Sequence, residues 1–230
     1  KGESSAWLEI FVEEDGREYR AKIEFYRDKD GFHDLDVELQ LLNDGNYDSK
    51  KALKAITDNV NRVLILDPVP NRMRQYSKLS KQLKRDGSNI AGVLAALEEK
   101  EKKALEQKLT RYISPLPDRD INRMEAVTVG LSNSDAMLYC YEDWNPDVPV
   151  DARGMSDGTL RFAAIVVALL TAKPNSLLIV EEIDNGLHPS RAKELIKVLK
   201  EISQERNVDV LCTTHNPVLI SELGNEMIPF

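Results

Sequence analysis

Cysteine and long apolar runs are scarce in this chain, and each scarcity excludes a class of protein. Its 230 residues include only two cysteines, Cys140 and Cys212, and both lie in apolar, strand-like runs. This placement favours buried, reduced thiols over a disulfide framework or a zinc site. The longest apolar run in the last third, residues 162–170, is far shorter than the roughly 20 residues that cross a bilayer. We therefore expect a cytosolic protein with no membrane partner.

Positively charged residues are also fewer than negatively charged ones. The chain has 31 Lys and Arg residues against 39 Asp and Glu residues, which gives a net charge of −8. Such a chain is a poor general binder of nucleic acid, because phosphate contacts need clustered cations. One local basic run is the exception, and it comprises Arg72, Arg74, Lys78, Lys81, Lys84 and Arg85. We interpret this run as the solvated face of a helix, with a binding patch as the alternative.

The first 45 residues carry the pattern of antiparallel strands. Residues 7–26 alternate between polar and apolar on both sides of Asp15-Gly16, and this dipeptide between alternating runs is a strong hairpin signal. Residues 33–44 predict a third strand of the same sheet.

A helical lobe is predicted for residues 76–115. Residues 78–113 are rich in Leu, Lys, Glu and Ala, and their apolar positions recur at helical spacing. Ser88 or Asn89 is suited to cap this helix.

Residues 126–230 have the pattern of an α/β core. Two strand-like stretches, 126–131 and 137–141, come first. They are followed by a helix at 159–171, a strand at Ser176–Val180, a helix at 190–204, a strand at 208–213 and a short helix at Pro217–Leu223. Strands that are apolar throughout and alternate with helices indicate a parallel sheet covered on both faces.

Polar residues follow two of these strands, at the edge where open parallel sheets bind ligands. Glu181 and Glu182 come directly after one strand, and His215 follows the next. Two carboxylates at a strand end are costly unless a cation, water or exposure compensates them. Magnesium bound to phosphates is such a cation, and a carboxylate beside it can activate water. The alternatives are a helix-capping carboxylate and a structural histidine.

A third feature is the segment that opens the helix at 159–171. Ser156 and Gly158 lie at its start, where free backbone N–H groups favour anions. An ordinary serine cap is the alternative reading of Ser156.

The order of MSDGTLRF, LLIVEEIDNGLHPSR and LCTTHNP resembles the carboxyl-terminal half of an ABC-type ATPase head. It is most similar to the soluble RecF-like and SMC-like ATPases, including the AAA_21 and OLD-like group, and the similarity covers about residues 153–222. The resemblance implies a single ABC-ATPase-like (P-loop NTPase) domain of class α/β over residues 1–230. Its parts would be the antiparallel β subdomain, the inserted helical lobe, and a parallel core.

The resemblance also implies roles for individual residues. Ser156, Asp157 and Gly158 fall on the signature motif, which in this family contacts the γ-phosphate of a nucleotide held by the other protomer. Asp157 stands where transporters usually have Gly, and Thr159 where they usually have Gln, which favours a soluble member over a transporter subunit.

The segments after the two strands correspond to the remaining motifs. Glu181 falls on the Walker B acid, a magnesium ligand that is Asp in many members. Glu182 falls on the catalytic carboxylate that polarises the attacking water. Asp184 opens the D-loop at residues 184–188, and His215 falls on the switch histidine.

One motif of the family is missing from the chain. No G-x-x-x-x-G-K-[ST] sequence occurs, and no Gly is followed by Lys. In the family this phosphate loop precedes the antiparallel strands, so we expect that the amino-terminal segment is not included here. The alternative is a degenerate ATPase without the loop. Because the loop supplies most of the grip on the β- and γ-phosphates, the 230 residues alone should bind ATP poorly.

The resemblance implies ATP and Mg²⁺ as cofactors and ATP hydrolysis as the activity. It implies a homodimer that closes across the nucleotide, with a nuclease or other effector subunit, or DNA, as further candidate partners. DNA repair and anti-phage defence are the expected settings. The alternative function is an interaction module that dimerises or docks an effector without hydrolysis.

Overall fold

The computed structural model describes residues 5–14, 17–28, 31–41, 62–116, 120–187 and 191–223, in two compact units that divide after Arg62. In the first unit, β1 (Ser5–Glu14), β2 (Arg17–Asp28) and β3 (Gly31–Leu41) form an antiparallel sheet in that order. The pairing of β1 with β2 ends at Glu14 and Arg17, on either side of the predicted turn. Asp15 and Gly16 themselves lie outside the described residues.

The second unit contains seven strands and six helices among the described residues. In chain order they are β4 (Val63–Leu66), α1 (Pro70–Met73), β5 (Ser77–Lys78), α2 (Ile90–Ala95), α3 (Glu99–Ile113), β6 (Ile121–Val129), β7 (Asp135–Glu142), β8 (Asn145–Asp151), α4 (Asp157–Thr171), β9 (Ser176–Val180), α5 (Ala192–Arg206), β10 (Val208–Cys212) and α6 (Pro217–Leu223). A single 3₁₀ turn, Ala152–Gly154, precedes α4.

A parallel sheet in the order β10-β9-β4 forms the centre of this unit. Alternation of the side chains places Leu66, Leu178 and Val180 on one face, where all three are buried. The same face packs against helices that include α4, whose residues 162–170 are buried throughout. A helix that is apolar on all sides needs this degree of cover. The predicted α/β class with a parallel core is confirmed.

The opposite face of the parallel sheet is more open. Val63, Ile65 and Leu211 lie on it and are 38%, 43% and 43% exposed. The sequence predicts a sheet that is covered on both faces, because these strands are apolar throughout. The described residues cover this face only in part.

A second, antiparallel sheet has the order β5-β7-β6, with β8 paired to β7. Helix α3 packs against it through a buried stripe of Leu105, Leu109, Tyr112 and Ile113. Glu106 lies within that buried stripe and accepts a hydrogen bond from the Ala126 backbone N–H of β6 at 2.8 Å. This sheet and its helices lie between β4 and β9 in the chain, so the parallel core is assembled from distant segments.

The helical stretch predicted within residues 78–113 begins at Ile90, directly after one of the two predicted cap residues. Lys78 belongs to β5, and residues 79–89 form turns and irregular segments in which Gly87 has a φ of +67°. Asn89 occupies the N-cap position of α2 but makes no capping bond. Its amide instead accepts from Lys84 N and donates to Gln82 O, both at 2.8 Å. The interpretation of the basic run as a helix face is therefore wrong, since α1, β5 and these turns carry it.

Cys140 and Cys212 form no disulfide. Within the described part of the chain, no helix has the length and apolar character needed to traverse a bilayer.

Candidate functional site

The loops after β9 and β10 lie together at the carboxyl edge of the parallel sheet. Both strands run in the same direction, so their ends meet at one edge. Thr213 joins the loops, because its N–H donates to Val180 O at 3.1 Å and its carbonyl accepts from Ile183 N at 3.0 Å. The structure therefore brings the Glu181–Glu182 segment and the segment containing His215 to one place, as the sequence predicts.

Glu182 has an unusual backbone conformation, with φ at +44°. A residue other than Gly in this left-handed region costs about 1–3 kcal/mol, and such residues concentrate at functional sites. The conformation is held by a hydrogen bond from Glu182 N to Thr213 Oγ1 at 2.9 Å. Asn185 Nδ2 donates to the carboxylate Oε2 at 3.2 Å, while the side chain stays exposed. The carboxylate is thus oriented and open to solvent.

Glu181 is also exposed, immediately after the last residue of β9. A hard cation such as Mg²⁺ is usually held by one or two carboxylates together with substrate phosphates and water. An exposed carboxylate at a strand end has the right donor chemistry for this arrangement. Among the described residues, no group of three or more His, Cys, Asp or Glu side chains forms an all-protein metal cage.

His215 lies in a loop that is fixed by its neighbours. Thr214 Oγ1 donates to Asp184 Oδ1 at 2.5 Å and accepts from Asn216 N at 3.0 Å. The Asn216 side chain then accepts from Val218 N at 3.0 Å and so caps the start of α6. His215 itself is exposed between these anchored residues. Burial, with the nearby charge of Asp184, raises the pKa of the Cys212 thiol, so this thiol stays protonated at neutral pH.

The predicted signature segment, residues 156–158, opens α4 with a serine cap. Ser156 Oγ accepts from Thr159 N at 3.1 Å and lies 2.9 Å from Thr159 Oγ1. The next residue, Asp157, is exposed and forms an ion pair with Arg74 at 2.6 Å. The predicted cap is present, and the carboxylate of Asp157 already has a partner within its own chain.

Gly158 is enclosed by the loop that follows β9. A Cβ atom added there would lie 2.6 Å from Arg191 Nη1 and 2.9 Å from the carbonyl oxygen of Gly186. Gly186 has φ +74° and packs against the Arg161 side chain of α4. The start of α4 and the D-loop segment are therefore in direct contact. His188, the last residue of the predicted D-loop, lies outside the described residues.

Several residues of this site have no role in the sequence-based prediction. Thr213 and Thr214 stand beside His215 in the sequence, and their hydroxyl groups at a strand end were the available signal. Arg74 gave no local signal beyond its place in a basic run. Arg191 is only 1% exposed, and its guanidinium group lies beside Gly158. Nothing in the neighbouring residues of the sequence predicts burial of this group.

The fold is that of ABC-type and Smc-head ATPase domains. Over residues 2–221 the chain matches the AAA_21 family, described as "AAA domain, putative AbiEii toxin, Type IV TA system". The chain belongs to this family. The family assignment and the α/β fold implied by the resemblance are both confirmed.

Solved structures support the fold. The chain is similar to an Smc head bound to the C-winged helix domain of ScpA, with 15% identity and a TM-score of 0.55, over 92% of this chain and 64% of the other. It is also similar to an Smc head with an extended coiled coil bound to the C-terminal domain of ScpA, derived from Pyrococcus furiosus. That comparison has 15% identity and a TM-score of 0.50, over 92% and 68% of the two chains. At this identity the similarity establishes the fold alone.

A shorter similarity extends to a transporter. Over 65 residues the chain is 35% identical to ABC transporter G family member 22 of Dictyostelium discoideum. The matched part is 28% of this chain and 10% of the transporter. The chain thus spans about a tenth of that relative and less than two thirds of the first Smc head.

Proposed function

We propose that this domain binds ATP with magnesium and hydrolyses it within a nucleotide-gated homodimer. The observation that carries the proposal is the conformation of Glu182. Its exposed carboxylate stands at the carboxyl edge of a parallel sheet, on a left-handed residue that two neighbouring side chains hold in place. Such a conformation is costly in free energy, and an oriented general base is a chemical reason to maintain it.

In this mechanism Glu182 orients a water molecule and accepts its proton as the water attacks the γ-phosphate. Glu181 would hold a magnesium ion, and that ion would supply positive charge to neutralise the phosphate oxygens. His215 contacts the γ-phosphate from the adjacent loop. Thr213 supports the roles of Glu181 and Glu182, because its hydroxyl group and its carbonyl fix the loop that carries the two glutamates.

The signature segment acts on the nucleotide of the other protomer. The first turn of α4 presents backbone N–H groups and the Ser156 hydroxyl, which together suit an anion. The 230 residues contain no phosphate loop, so the proposal requires that residues outside them cradle the β- and γ-phosphates. The D-loop contact at Gly158 and Gly186 gives each protomer a physical connection between its catalytic edge and its signature.

Hydrolysis would then control a partner. The family description names a toxin-antitoxin system, and the two similar Smc heads were solved with ScpA domains bound. These names support an effector subunit, such as a nuclease, as the output of the cycle. DNA is the second candidate partner, and DNA repair or anti-phage defence would be the setting.

Sedimentation of a signature variant tests the proposal, and the variant is made in the full-length protein because the 230 residues alone should bind ATP poorly. Glu182→Gln should trap the ATP-bound dimer, because it removes the base and leaves the binding contacts. Adding Ser156→Arg should abolish this dimer, since a bulky cationic side chain fills the space meant for the γ-phosphate. Binding of ATP to single protomers should persist.

The matched control is Ser132→Arg, which makes the same change in the exposed turn between β6 and β7. It should dimerise like the parent. If the Ser156→Arg protein also dimerises with ATP and magnesium, the composite site is wrong and a non-hydrolysing interaction module becomes the better description.

A further inference from the structure

Arg74 connects α1 to the signature segment across 83 positions of sequence. Its Nη2 donates to Asp157 Oδ1 at 2.6 Å and to the Met155 carbonyl at 2.9 Å. These two acceptors flank Ser156. One guanidinium group therefore fixes the backbone immediately before the serine and the side chain immediately after it. The Arg74 side chain is 21% exposed, so the contact is well packed on the arginine side.

The position of α1 relates Arg74 to the catalytic edge of the sheet. Strand β4 pairs with β9 in parallel, and its last residue, Leu66, pairs with Val180. The chain leaves both strands at the same edge, toward α1 in one case and toward Glu181 in the other. Arg74 thus joins the edge that carries the glutamates to the segment that would contact the other protomer's nucleotide.

The contact between Arg74 and Asp157 matters for phosphate binding, because Asp157 carries a negative charge. An exposed carboxylate in the first turn of a helix occupies the same favourable potential that an incoming phosphate would use. Two anions at one helix start repel each other. Arg74 draws the carboxylate aside and neutralises it, which leaves the N–H groups and Ser156 available. A glycine at position 157 would need no such partner.

We infer that Arg74 is a positioning residue that holds and neutralises Asp157, so that the signature can accept the γ-phosphate of a second protomer. The inference rests on the proposed function. This positioning role is distinct from stabilisation of the fold, because ion pairs with an exposed partner contribute little to the free energy of unfolding. Asp157 is 63% exposed in its side chain. Substitution of Arg74 should therefore change ATP-dependent dimerisation far more than it changes the Tm of the domain.

The test compares Arg74→Gln with Arg72→Gln in the Glu182→Gln background of the full-length protein. Arg72 lies in α1, two residues before Arg74, and pairs with Asp86 at 3.0 Å, away from the signature. We expect Arg74→Gln to weaken ATP-dependent dimerisation by about tenfold or more, as expected for loss of a charge-assisted contact. Nucleotide affinity of single protomers should be unchanged. Arg72→Gln should match its parent in both measurements.

A second variant separates charge from packing. Adding Asp157→Asn to Arg74→Gln removes the uncompensated carboxylate, and dimerisation should recover toward the parent. Arg74→Lys keeps the positive charge and should also retain most of the dimer. If the double variant is as impaired as Arg74→Gln alone, neutralisation of Asp157 is not what Arg74 does.

Amide hydrogen exchange gives a readout that needs no ATP. Exchange at residues 155–160 should be faster in Arg74→Gln than in Arg72→Gln. If exchange and dimerisation both match the parent while Ser156→Arg still blocks the dimer, the role of Arg74 is wrong and the proposed function stands. If Ser156→Arg itself dimerises, the proposed function is wrong and this role is lost with it, whatever the exchange shows.

Discussion

The hydroxyl of Thr214 donates to the carboxylate of Asp184 at 2.5 Å, which ties the loop after β10 to the loop after β9. The two residues are 30 positions apart in sequence. Asp184 opens the predicted D-loop, and Thr214 precedes the exposed His215. The bond therefore links the predicted D-loop directly to the residue before the histidine.

Glu182→Gln should preserve ATP binding and slow hydrolysis by roughly 10²–10⁴-fold, the usual effect of losing a general base. The amide keeps the size of the side chain and can still accept a hydrogen bond from Asn185. Single-turnover hydrolysis measures the change. Glu181→Gln is the informative comparison, because loss of a magnesium ligand should weaken metal-dependent nucleotide binding as well. Near-normal turnover in Glu182→Gln would remove Glu182 from the mechanism.

His215→Ala should lower turnover without unfolding the domain. The side chain is exposed, and Thr214 and Asn216 hold the loop through contacts that do not involve the imidazole. Surface substitutions of this kind usually change the free energy of unfolding by less than about 0.5 kcal/mol. Thermal melting and steady-state turnover together check this. A fall of many degrees in Tm would show that His215 is structural.

Gly158→Ala should destabilise the domain by about 1–3 kcal/mol, the usual cost of overpacking. In an ordinary helix the same change is stabilising, because Ala has the higher helix propensity. Here the new methyl group would lie 2.6 Å from Arg191 Nη1 and 2.9 Å from the Gly186 carbonyl. Chemical denaturation measures whether the substitution lowers or raises the free energy of unfolding. A more stable variant would mean that Arg191 and the D-loop yield easily and do not hold the signature.

Glu106→Gln should gain stability relative to the parent as the pH rises from 4 to 7. Burial raises the pKa of the Glu106 carboxyl above its ordinary value, although the Ala126 N–H and Lys102 act in the opposite direction. The folded state therefore favours the protonated form. Its contribution to stability is present below the unfolded pKa and is lost as the pH rises through the folded pKa.

The glutamine of this variant stays neutral and can still accept from Ala126 N. Denaturation midpoints of the two proteins at several pH values measure the difference. A difference that stays constant between pH 4 and 7 would contradict the raised pKa.

Local sequence determined the elements whose patterns are short and strong. Ser176–Val180 and Pro217–Leu223 have the bounds that the sequence predicts, and α4 begins two residues before the predicted 159. Apolar periodicity, turn dipeptides and the Ser156 cap suffice in such segments, because they act over a few neighbouring residues. The motif resemblance likewise depends on contiguous residues, and it identified the family.

Tertiary structure alone decided how the site is held. The parallel pairing of β4 with β9, the burial of Arg191 against Gly158 and the bond between Arg74 and Asp157 each join segments far apart in the chain. The left-handed backbone of Glu182 depends on Thr213, 31 positions away. No local pattern encodes these features, because their free energies come from partners that only the folded chain brings into contact.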